Sequence, residues 1–155
     1  MLTRLEQRAL QQLPDEAVRW TISLTETMQE TGNPRGLIWD RCEPLPDLCF
    51  CRNKQTGELL ALAAINIYYR AVPGSDMEDW PAVADVRTGT AVLQWIAAEP
   101  RGWIDWISRR PAREGRWQAT GRVFLNLLPA AVRELMATQL EAVDSDRPAD
   151  ARQHK

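Results

Sequence analysis

The chain has 155 residues, 45% hydrophobic and 26% charged, with a formal net charge of −2. That length suits one domain burying about 70% of its unfolded surface, and that charge supplies no whole-molecule field to draw in nucleic acid or an anionic membrane. The single histidine, His154, lies next to the C-terminus, a poor place for an imidazole that packing must hold, which disfavours Ser-His-Asp and Cys-His hydrolysis.

No glycine-rich phosphate loop or dinucleotide fingerprint occurs, which argues against common kinases and nicotinamide enzymes, and no cofactor is implied. The first residues lack the apolar run of a secretory leader. The longest stretch without a polar residue, 59–65, is far shorter than the ~20 that span a bilayer. A cytoplasmic location is expected, with Cys42, Cys49 and Cys51 as reduced thiols. Of the 19 basic residues, 17 are Arg, a skew that gives each Arg little individual weight.

In chain order, Leu2, Leu5, Ala9, Leu10 and Leu13 recur at helical spacing. Pro14 interrupts, and Asp15 and Glu16 suit the first turn of a second helix over 15–30, where carboxylates meet the positive end of the dipole. Its apolar positions are Val18, Ile22 and Met28, with Trp20 and Leu24. Gly32, Asn33 and Pro34 stop it. Residues 32–47, with two Gly and three Pro, read as an irregular connector in which Leu37, Ile38 and Trp39 could form a short strand.

The informative stretch is 48–70. Two apolar runs flank Asn53, Lys54, Gln55, Thr56 and Gly57, which is hairpin-loop chemistry. In the second arm the odd positions from Leu59 to Tyr69 are all apolar or aromatic. The even ones begin apolar (Leu60, Leu62, Ala64) and then turn polar or amphipathic (Asn66, Tyr68, Arg70). Side chains alternate along a strand, so one face should be buried throughout and the other over its first half only. Leu and Ala favour a helix here; the turn and the β-rich end favour the strand.

Residues 72–81 read as an acidic loop, 82–90 contain a turn signal, and 91–98 suit a strand. In it Val92 and Ile96 share one face and Leu93 and Trp95 the other. After the turn at 99–102, residues 103–110 are expected as a strand. Over 116–127, Trp117, Ala119, Gly121, Val123, Leu125 and Leu127 alternate with Gln118, Thr120, Arg122, Phe124 and Asn126, the pattern of a strand with one wet face. Pro129 opens a helix, with Val132, Leu135, Met136, Leu140 and Val143 as its apolar stripe. The charged tail 144–155 is expected to be disordered. The fold expected is a single α+β domain over 1–143: an antiparallel meander of about five strands with N-terminal and C-terminal helices packed on one face.

Two surfaces are candidates for function. The segment 101–122 holds six Arg against two acids, with three Trp interleaved. Trp103, Trp106, Arg109, Arg110, Arg113, Arg116 and Trp117 could bind a protein partner or an anion, because the guanidinium fork grips carboxylates and phosphates and stacks on Trp. The same Trp serve a core equally well, each burying roughly 150–250 Å². Asp76, Glu78 and Asp79 offer hard oxygen ligands for a divalent cation, without the order of an EF-hand loop. The C-x6-C-x-C spacing falls short of a four-ligand zinc site.

The function these features favour is a non-enzymatic binding or adaptor module acting through protein contacts, with a homodimer compatible. One alternative is a small-molecule or anion site on the concave sheet face, which could use Asp76, Glu78, Asp79 or Asp85. A second is nucleic-acid binding through 101–122.

Overall fold

The computed structural model describes residues 2–31, 37–76, 78, 85–97 and 115–143. Helix α1 (Arg4–Gln12) starts on a capping box: Thr3 Oγ1 accepts from the Glu6 amide, and the Glu6 carboxylate accepts from the Thr3 amide, each at 3.1 Å. Pro14–Glu16 forms one 3₁₀ turn, and α2 (Ala17–Glu30) follows. Trp20, Leu24 and, more shallowly, Met28 face inward. Val18 and Ile22, expected to be buried, are 74% and 55% exposed, and Leu5 is 67% exposed. The reason is rotation. At 3.6 residues per turn, Val18 and Ile22 lie about 200° from Trp20 and Leu24, so one pair must face out. The inward stripe is completed by Thr21 and Thr25, whose hydroxyls donate to Ala17 O (2.7 Å) and Thr21 O (2.9 Å).

Among the described residues, five strands form one antiparallel sheet: β1 (Leu37–Asn53), β2 (Leu59–Ala71), β3 (Arg87–Ile96), β4 (Arg116–Leu125) and β5 (Leu140–Ala142), in the order β4-β3-β2-β1-β5. The β1–β2 hairpin closes where the sequence placed it. Asn53 Oδ1 accepts from the Gln55 and Thr56 amides, and Gly57 takes φ +77°.

Strand β1 is far longer than expected, because 37–47 is strand and not an irregular connector. Two register irregularities accommodate its prolines and charges. One falls between Trp39 and Arg41, the other between Pro44 and Leu48. Strand β5 pairs only with Cys51, Arg52 and Asn53. Among the described residues, 38–48 therefore has no strand neighbour on that side. Pro44 and Pro46 fit such an edge, where a missing N–H costs no ladder bond.

Strand β3 begins earlier than its turn signal suggested. Gly89 lies within it, and a Cβ there would stand 2.8 Å from Phe124 O. In β4, Gly121 sits at φ +86° where β4 carries two extra residues against β3. The helix after β4 ends at Leu135, so α3 is Pro129–Leu135. Leu140 and Val143 are not on its stripe: Leu140 opens β5, and Leu135 is 66% exposed.

The helices occupy both faces of the sheet. On the first, α1 and α2 pack with Leu59, Ala61, Ala63, Ile65, Ile67, Ala91, Leu93 and Trp117. On the second, Val132 and Met136, from α3 and its end, cover Cys51, Leu60, Leu62 and Val92. The expectation of helices on one face is corrected by the even positions of β2. Their first half is apolar, so it needs a cover of its own, and α3 supplies it while carrying the chain from the β4 edge to the β1 edge. The strand expected over 103–110 and the disordered tail expected over 144–155 lie outside the described residues.

Candidate functional site

Of the residues singled out in the basic aromatic segment, Trp103, Trp106, Arg109, Arg110 and Arg113 lie outside the described residues. Arg116 opens β4 and is exposed. Trp117 is 1% exposed. Its ring meets Trp95 and Phe50 at centroid distances of 5.5 and 5.9 Å, and its Nε1 donates to Ala9 O at 2.7 Å. Its amide donates to the Glu16 carboxylate at 3.0 Å, which Gln12 and Arg19 also grip. Trp117 thus joins β4 to the helical layer from within the core.

In the acidic loop, Asp76 and Glu78 are exposed, and Asp79 lies outside the described residues. The Glu78 carboxylate accepts from the Gly74 amide at 2.9 Å. Among the described residues no three His, Cys, Asp or Glu side chains are grouped to hold a metal.

The cysteines are split between the faces of the sheet. The irregularity at Asp40 inverts the alternation, so Trp39 and Cys42 both face α2. Phe50 faces α2 as well, which turns Cys49 and Cys51 toward α3. Burial pushes all three thiols up, Cys51 to about 11, so none is poised as a thiolate nucleophile.

The described surface with the most built-up chemistry is the end of the second face beyond α3, which no other helix among the described residues covers. Asn66 and Tyr68 continue the row of Leu60, Leu62 and Ala64, and Thr88 stands opposite Asn66. The Arg41 guanidinium stacks on the Tyr68 ring 3.8 Å from its centroid. The Tyr68 hydroxyl donates to Glu43 at 2.6 Å, and this bond holds the phenol above its ordinary value. Arg41 lies 4.0 Å from both Asp40 and Glu43, and Arg70 lies 3.5 Å from Asp40. Thr88 donates to Asn66 at 3.2 Å. The result is a patch with an aromatic ring gripped on its face and at its hydroxyl, rimmed by charges of both signs.

The polar half of β2 marked this zone in the sequence through Asn66, Tyr68 and Arg70. Arg41 and Glu43 carried no such mark, because they lie in the stretch read as irregular and only pairing with β2 brings them to Tyr68.

Among the described residues no helix is long and apolar enough to cross a membrane. Compared with protein-family models, curated proteins and solved structures, the chain finds no match in any of the three.

Proposed function

We propose that this chain is a non-enzymatic cytoplasmic binding or adaptor module that works through protein–protein contacts, and that the Tyr68 patch is its contact surface. The observation that carries this is the fixing of Tyr68 by Arg41 and Glu43 on a part of the sheet that no helix among the described residues covers. A side chain already held in place loses little freedom when a partner covers it. Tyr and Arg are the residue types that most often dominate contact energetics, and mixed charges around them suit a polar rim. The basic composition of 101–122 supports the same reading from the sequence alone, apart from Trp117, which lies in the core.

The test is affinity capture from the native host with wild type and with Tyr68→Ala and Arg41→Ala, beside light scattering for the oligomeric state. A specific partner retained by wild type and weakened about tenfold or more by Tyr68→Ala is expected. If the variants capture the same partner equally well, the patch is not the surface. A strictly monomeric wild type that retains no macromolecule counts against the module itself.

A further inference from the structure

The two thiols on the α3 face have a setting of their own. Cys49 stands opposite Leu62 and Cys51 opposite Leu60, with continuous register between them. Alternation therefore sends both to the same side, their α-carbons about 7 Å apart. The Met136 side chain is buried in the same cluster as Cys51, and Cys49 packs against that cluster. The turn that follows α3 fixes Met136 there. Its carbonyl accepts from the Gln139 and Leu140 amides at 2.9 Å, and two residues later Ala142 pairs with Cys51. The other members of the cluster are Leu60, Leu62, Val92, Val132 and Leu140, with Phe124 and Leu127 at its margin. Sulfur is the only ligating element among these side chains. Arg133, on α3, is a cation that acts on both thiols, and Asp47 is a carboxylate that acts on Cys49.

We propose that Cys49, Cys51 and Met136 form a binding site for a soft monovalent metal ion, copper(I) by chemical class. Thiolate and thioether sulfur select such ions, whereas magnesium and calcium want oxygen. A metal–thiolate bond of about 2.3 Å, the value for zinc, lets two sulfurs share an ion when they stand about 4–5 Å apart. Neighbouring same-face side chains on a strand can reach that separation. On binding, each thiol releases its proton to water and no electron moves. Two thiolates and one monovalent cation leave a single negative charge, which Arg133 offsets in part while Asp47 acts on Cys49 in the opposite sense. Cys49, half-buried, is the point of entry, and Cys51 has no exposed surface. Cys42 faces α2 across the sheet and takes no part.

That division makes the test specific. The reduced full-length chain is titrated anaerobically with copper(I) against a competing chelator, and the stoichiometry is read by native mass spectrometry. One ion per chain is expected. Cys49→Ser should weaken binding at least 100-fold, Met136→Leu about tenfold, and Cys42→Ser not at all. Circular dichroism verifies the fold of each variant. Cys49, the least buried of the three ligands, makes Cys49→Ser the decisive variant should others fail to fold. Wild-type affinity in Cys49→Ser, or an equal loss in Cys42→Ser, would overturn the site.

Discussion

Trp117 and Glu6 are among the side chains that fasten the helical layer to the sheet, and each supports a measurable expectation. Trp117 combines nearly complete burial with a 2.7 Å hydrogen bond from its indole to Ala9 O. Trp117→Ala removes a large buried volume and should cost about 3–5 kcal/mol in urea unfolding. Trp117→Phe keeps most of the apolar contact but abandons the Ala9 carbonyl, and should cost about 1–3 kcal/mol. Glu6 meets Arg52 through two contacts of 2.7 and 2.9 Å while capping α1. The Arg52 hydrogen bonds hold its carboxyl below the ordinary 4.5, against an opposing push from burial. A carboxylate with a depressed folded value stabilises the fold above its unfolded value, and the contribution fades as pH falls through the folded one. Glu6→Gln should therefore lower stability at pH 7, by about 1–2 kcal/mol, and by less at an acid pH below the folded value. An equal deficit at both pH values would mean that the loss is one of packing rather than charge.

At the scale of elements, the irregularities in the strands decide which side chains are inside. The extra residue at Asp40 puts Trp39 and Cys42 on the same face, and so brings Arg41 to Tyr68 on the other. Gly89 marks a close approach of β3 to β4, with no room for a Cβ beside Phe124 O. Gly89→Ala must push two paired strands apart and should cost about 1–3 kcal/mol, seen as a lower urea midpoint. Gly121→Ala fails for a different reason, since space is adequate there, with the nearest atom 3.4 Å away, but φ is +86°. Left-handed backbone costs an L-residue about 1–2 kcal/mol. The hairpin turn, the break at Pro14 and the start of α3 were legible in the sequence, because proline, glycine and asparagine act through their own backbone constraints. The length of β1 was not. Its prolines read locally as breakers and are tolerated only because most of that strand lies at an edge.

For the whole molecule, the decisive feature is a sheet with helices on both faces that leave, among the described residues, one end of the second face without a helix over it. Cys42 and Cys51 are buried in opposite layers, and Cys49 is half-buried. With thiols raised by burial, native protein near pH 8 should react with a disulfide reagent slowly and first at Cys49. All three should react at once in denaturant. Fast native labelling of Cys51 would show that α3 does not close over the sheet. The four described tryptophans, Trp20, Trp39, Trp95 and Trp117, belong to or pack against the first cluster. Tryptophan content there reports the core and not a binding stripe.

The sequence by itself determined the fold class, the hairpin and the wet second half of β2, because alternation along a strand and the backbone limits of Gly and Pro act over a few residues. Only the tertiary structure decided which face of α2 is buried, that α3 takes the second face, and that Arg41 and Glu43 meet Tyr68. Those outcomes depend on register and helix rotation, which are set when distant segments compete to bury apolar surface, and no local pattern records the result of that competition.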